Sequence, residues 1–191
     1  QKIVDGRGML CNFLENHDKT RIIDRFLMPE DQNRYSEKML PVTNFFLPGI
    51  VFLYQGQEIG MRDNPKQSIQ GFVDKPTFAI YDRLIAEGKT DAEALEQINR
   101  ESREHSRTPM QWDASENAGF SEAQPWIRVN ANYKRINTEN ALADSDSVFY
   151  YYQKLIALRH ELPIITDGVY ELLDAENEKI YAYLRKGEKE S

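Results

Sequence analysis

The chain has 191 residues, a formal net charge of -7, 40% hydrophobic and 29% charged residues, enough for one sizeable core or for a piece of something larger. No apolar run approaches the roughly 18 residues needed to span a bilayer, which excludes a membrane role. Acidic and basic residues are interspersed, without the basic stripe that a nucleic-acid partner requires, so a neutral or cationic small molecule is the partner class left open. Cys11 is the single cysteine, and no disulfide can form within one chain. Its apolar surroundings read as those of a buried small hydrophobe, and a reducing, cytoplasmic setting is expected. No charged-then-apolar signal segment stands at the start, but the sequence opens at Gln1 without Met, so an N-terminal address stays open.

Residues 9–14 form a short, mostly apolar run between Gly8 and a polar cluster, the pattern of a strand buried on both faces. Residues 50–54 form a second such run, entered through Pro48-Gly49 and left through Gln55-Gly56. Between them Ser36 is placed to cap a helix that turns Met39, Leu40, Phe46 and Leu47 to the sheet, with Pro41 starting, kinking or breaking it. Strand, helix and strand imply a parallel unit. Residues 63–76 are polar and turn-rich, after which Thr90 and Glu93 form a capping box ahead of Leu95 and Ile98, marking a helix towards Arg103. Residues 108–145 read as an ordered loop anchored by Trp112 and Trp126, and excursions of this length are usually functional. Val148, Phe149, Tyr152, Leu155 and Ile156 recur at helical spacing over residues 147–162, with Pro163 as a stop. Residues 168–173 and 180–184 then flank a polar turn as a hairpin.

Asn16-His17-Asp18 follows the first strand's carboxyl end, where parallel α/β folds place groups that touch ligand. A carboxylate beside an imidazole suits sugar hydroxyls and a developing oxocarbenium charge. The same triplet is equally an Asx turn leaving a strand, and taken alone the residues leave both readings open. The neighbouring segments narrow the choice. Residues 13–21 read Phe-Leu-Glu-Asn-His-Asp-Lys-Thr-Arg, residues 54–61 Tyr-Gln-Gly-Gln-Glu-Ile-Gly-Met, and residues 102–113 Ser-Arg-Glu-His-Ser-Arg-Thr-Pro-Met-Gln-Trp-Asp. In order and spacing these resemble three segments of the glycoside hydrolases of the α-amylase family, within it the oligo-1,6-glucosidase, dextran glucosidase and trehalose-6-phosphate hydrolase group. The resemblance runs the length of the chain.

That resemblance implies an α/β fold comprising the C-terminal part of a (β/α)8 barrel, strands seven and eight with their helices, over residues 1–162. Residues 163–191 would begin a C-terminal antiparallel β domain. It implies that Asp18 is the catalytic transition-state stabiliser, that His17 and Arg103 bind the glucose of the first subsite, and that Arg107 is a second substrate-binding candidate. For both arginines a salt bridge fixing the loop is the competing reading. Glu58 is read as bracing the strand end. The nucleophile and acid/base of a retaining mechanism, about 5–5.5 Å apart, are implied to lie after the fourth and fifth barrel strands, upstream of Gln1. The expected parent is a retaining α-glucosidase taking terminal α-linked glucose, α-1,6 foremost, from short oligosaccharides. The expected partners are that oligosaccharide and the remainder of its own barrel, with no cofactor and no metal. Lys19-Thr20, Glu104 and Gln57 depart from residues common in the family and leave the fine substrate open. A non-catalytic barrel relative acting as a binding or scaffolding subunit is the alternative, opposed by the intact Asn16-His17-Asp18 and Arg103. A metal module built on Glu15, His17 and Asp18 is disfavoured because consecutive residues rarely converge on one ion.

Overall fold

The structure is a computed structural model in which residues 8–187 are described. Two short strands, β1 (Cys11–Phe13) and β2 (Ile50–Phe52), pair in parallel with Cys11 opposite Ile50 and Phe13 opposite Phe52. They are joined through α1 (Ile22–Phe26) and α2 (Arg34–Phe45). The expected strand–helix–strand unit is present, but burial on both faces is not. Val51 packs on a cluster of Phe45, Tyr152 and Leu155, whereas Cys11, Phe13, Ile50 and Phe52 are exposed. Period-two alternation puts those four on one side of the sheet, and no element among the described residues covers it. The expectation of a buried Cys11 is corrected accordingly.

The cap of α2 is Asn33, whose side chain accepts from Tyr35 N at 3.0 Å and Ser36 N at 3.2 Å. Ser36 returns the bond, its hydroxyl accepting from Asn33 N at 3.0 Å. The expectation of Ser36 as the cap is corrected: the cap lies three residues earlier at Asn33, and Ser36 is its partner in a capping box. Pro41 sits buried inside the helix, where a missing N–H and a ring clash cost about 3 kcal/mol. The helix persists because it carries Leu40 into a cluster with Ile22 and Ile23, and Phe45 into contact with Tyr152. Met39, expected to face the sheet, is exposed.

A helix that the sequence did not announce, α3 (Lys75–Ala86), follows the polar stretch, with Pro76 in its first turn and Gly88, at φ +92°, just past its end. It packs on α4 (Asp91–Glu101), and Ile69, Phe72, Leu84, Ala94 and Ile98 form the shared core. The capping box of α4 is as expected: Glu93 N donates to Thr90 Oγ1 at 3.3 Å, and Thr90 N to Glu93 Oε2 at 2.8 Å.

Residues 108–145 are an ordered loop with short 3-10 turns and one α-helix, α5 (Thr138–Ala143). The tryptophans do not anchor it, since Trp112 is 49% and Trp126 78% exposed. Buried amides do that work: Gln111 donates to Asn132 Oδ1 and the Ile136 carbonyl, and Asn130 Nδ2 donates to the carbonyls of Arg62 and Asp63 at 3.2 and 2.8 Å. Helix α6 (Val148–Glu161) stands where periodicity placed it, and Pro163, after ending it, opens α7 (Pro163–Asp167). The hairpin pairs β3 (Val169–Leu173) with β4 (Ala182–Lys186), two residues later in its second strand than expected. Its link to the preceding helix is Arg185 Nη2, which donates to Ile165 O at 3.0 Å and Thr166 O at 3.3 Å. Among the described residues no helix is long and apolar enough to cross a membrane.

Candidate functional site

Because β1 and β2 are parallel, the segments leaving their carboxyl ends open on the same side. Arg21 holds them there. It is fully buried and paired with Glu15, itself buried, at 2.9 Å. Its Nη1 donates to Gln55 O at 2.7 Å, its Nη2 to Ser106 O at 3.4 Å, and its backbone N to Asp63 Oδ1 at 2.7 Å. Glu15 Oε1 also accepts from Ile22 N at 2.8 Å, and Tyr54, with Arg21 over its ring, donates to Ser106 O at 3.1 Å. One guanidinium fork thus ties its own segment, through Glu15, to the stretches holding Gln55 and Ser106 at a single point, which a lysine's point charge does not do. Gly56, at φ +83°, is required beside it: a Cβ there would lie 2.3 Å from Met61 Sδ. Glu58, whose carboxyl faces the backbone N–H groups of Gly56 and Glu58, braces the strand end as expected, and Gln57 adds to it by donating from Nε2 to Tyr152 OH at 2.7 Å.

On this base Asn16 forms an Asx turn, its Oδ1 accepting from Asp18 N at 2.9 Å. The turn reading of the triplet is thus present, and the turn fixes where Asp18 stands. The structure brings the four candidate residues together. Arg107 Nη2 lies 2.7 Å and Arg103 Nη1 3.4 Å from Asp18 Oδ1, while His17 Nε2 lies 3.1 Å from Asp18 Oδ2. Arg107 Nε also donates to His17 O at 2.7 Å. Desolvation raises the Asp18 carboxyl, but His17, Arg107 and Arg103 together outweigh it and hold the group below its ordinary value. Asp18 is accordingly a fixed anion, suited to accepting hydroxyl hydrogen bonds or facing developing positive charge and not to delivering a proton.

The site includes residues that the sequence reading missed. Asp74 takes Arg103 in a two-point grip, with Nε to Oδ2 and Nη2 to Oδ1 both at 2.8 Å. That hydrogen bonding lowers the Asp74 carboxyl against its desolvation. Glu104, buried, accepts from Val73 N at 2.7 Å and Asp74 N at 2.5 Å. His105, also buried, accepts at Nδ1 from Asn64 N at 2.9 Å and meets Asn99 O through Nε2 at 2.7 Å, so Nε2 carries the proton; burial lowers its pKa. Residues 102–105 thereby clamp the whole 63–74 segment. A cavity of about 220 Å³ beside Asp18 is lined by Asp74, Thr77, Ile98, Ser102 and Arg103 as well. Asp74 lies in the polar, turn-rich 63–76 stretch of the sequence, which gives no hint of an arginine partner. Among the described residues no group of three or more His, Cys, Asp and Glu side chains is placed to hold a metal ion.

Below the site, desolvation pushes the Asp63 carboxyl up to about 7, with Asp24 and Glu15 adding to it and the Arg21 N–H opposing it. A raised folded-state pKa means the native state binds the extra proton, so stability falls as pH rises through that value, by roughly 1.4 kcal/mol per pH unit at most. Asp63→Asn keeps an acceptor for Arg21 N. In the whole protein it is expected to raise the melting temperature at pH 8 and to flatten its dependence between pH 5 and 8, read by calorimetry.

Residues 1–168 match the catalytic domain of the α-amylase family. An oligo-1,6-glucosidase of Parageobacillus thermoglucosidasius is 43% identical over 189 residues, 97% of this chain and 33% of that protein. A trehalose-6-phosphate hydrolase of Bacillus subtilis (strain 168) is 39% identical over 97% of this chain and 33% of its own length. Among solved structures, the trehalose-6-phosphate hydrolase of Bacillus licheniformis superposes with a TM-score of 0.91 at 42% identity, over 97% of this chain and 34% of that one. The trehalulose synthase of Pseudomonas mesoacidophila MX-45 gives 0.91 at 35% identity, over 98% and 34%. The chain thus spans about a third of the length of the relatives it matches. With a match over most of its residues and with its sequence motifs gathered at the ends of two parallel strands, the chain belongs to the α-amylase family.

Proposed function

We propose that this chain is the C-terminal part of the catalytic barrel of a retaining α-glucosidase. In this reading β1 and β2 are the seventh and eighth strands of a (β/α)8 barrel over residues 1–162, and residues 163–191 begin a C-terminal β domain. The whole protein removes a terminal α-linked glucose from short oligosaccharides, α-1,6 foremost. The relatives' names, oligo-1,6-glucosidase and trehalose-6-phosphate hydrolase, support that substrate class. So does a trehalulose synthase variant solved in complex with sucrose.

The observation that carries the reading is Asp18, held ionised by two guanidinium groups at the mouth of a parallel strand pair. Double displacement develops positive charge on the sugar ring, and a fixed carboxylate stabilises it without reorganising at the moment of reaction. His17, Arg103 and Arg107 bind the same glucose and fix its orientation. The nucleophile and acid/base come from the remaining two thirds of the protein, and the exposed face of Cys11, Phe13, Ile50 and Phe52 receives the rest of the barrel.

The test is glucose release from p-nitrophenyl α-glucoside and isomaltose by this chain beside the same gene extended upstream through six more strands. Activity is expected in the extended protein alone, and the 191-residue chain is expected to aggregate without a cooperative melt. Turnover by the short chain, or none by the extended one, sinks the reading.

A further inference from the structure

Asp74 occupies the N-cap position of α3, where an Asp carboxylate ordinarily accepts from a first-turn N–H. It makes no such bond. Both oxygens go instead to Arg103 Nε and Nη2, each at 2.8 Å. That leaves Nη1 as the third edge of the fork, and it points to Asp18 Oδ1 at 3.4 Å. The backbone of Asp74 is fixed in turn by the residue beside Arg103, since Glu104 accepts from the N–H groups of Val73 and Asp74. The two segments therefore hold each other twice, in opposite senses. A helix cap has been given up, and the carboxylate sets the plane of a guanidinium in the same cavity as Asp18.

We propose that Asp74 is a positioning residue: by gripping two edges of Arg103 it keeps Nη1 directed at Asp18 and the glucose, and prevents the guanidinium from folding onto Asp18 as a two-point pair. The inference rests on the α-glucosidase reading. Without Asp74 the full charge and both free edges of Arg103 fall to Asp18, whose oxygens are then engaged where a sugar hydroxyl should sit.

A double-mutant cycle in the whole protein separates this role from a structural one. Asp74→Ser is the informative variant, because serine caps a helix well and preserves α3 while leaving Arg103 unheld. It is expected to melt as wild type yet lose about 10²-fold in kcat/KM on isomaltose, the scale of a small misplacement, mostly through a higher KM. In an Arg103→Lys background, which has no fork to orient, the same substitution is expected to cost less than about twofold. An equal loss in both backgrounds, or full activity in Asp74→Ser, overturns the inference alone. A wild-type protein without α-glucosidase activity overturns both the functional reading and the inference.

Discussion

Asp18→Asn in the whole protein is expected to lower kcat/KM for isomaltose by about 10³-fold or more while leaving the melting temperature nearly unchanged. A preorganised group facing developing transition-state charge typically contributes on the order of 10²–10³. An amide keeps the shape and loses the charge. Asp18 is also half exposed and does not hold the core. Its partners make the expectation sharper, because with the anion gone Arg107 loses its carboxylate partner, and Arg103, still held by Asp74, adds a second cation near a ring that becomes positive. The loss should fall mainly on kcat, since it concerns the transition state more than the ground state. Parallel assays of kcat and KM decide it: a variant with normal kcat and a raised KM would make Asp18 a binding residue only.

Arg21→Met is expected to be the most destabilising single change in the chain, by about 3–5 kcal/mol, because it leaves the Glu15 carboxylate buried without its partner. Burial already raises that carboxyl against the pull of Arg21, and without the guanidinium the rise is larger. A folded-state pKa above the unfolded value favours the native state at low pH and loses that stability as pH rises through it. The deficit of Arg21→Met should therefore shrink between pH 7 and pH 5, as Glu15 takes up a proton. Glu15→Gln combined with Arg21→Met should recover part of the loss at pH 7, since both charges are then gone. Urea unfolding of the whole protein at the two pH values measures both effects. Equal deficits at pH 5 and 7 would show that the cost comes from the lost ties to Gln55 and Ser106 and not from the stranded charge.

What the amino-acid sequence determined by itself was local or motif-borne. The Thr90–Glu93 box and the periodicity of α6 are satisfied by neighbours within a few residues, so they are readable before any fold exists. That Asn16, His17, Asp18, Arg103 and Arg107 belong to one candidate site was legible because two of the three motifs carry them, although the parts the fold brings together are 85 to 90 residues apart. Other features depended on groups that the sequence does not place side by side. Helix α3 is held by packing Leu84 against Ile98 and Ala94, a tertiary contact with a segment read separately. Trp112 and Trp126 looked like anchors by size, but side-chain amides such as Gln111 and Asn130 satisfy the loop's buried polar groups and therefore fix it. Asp74 read as part of a polar, turn-rich stretch, and only the fold brings the guanidinium of Arg103, 29 positions away, to within hydrogen-bond distance. Charge-assisted pairing of that kind depends on distance in space and not along the chain, and so the residue identities were legible while the partner of each was settled by the tertiary structure.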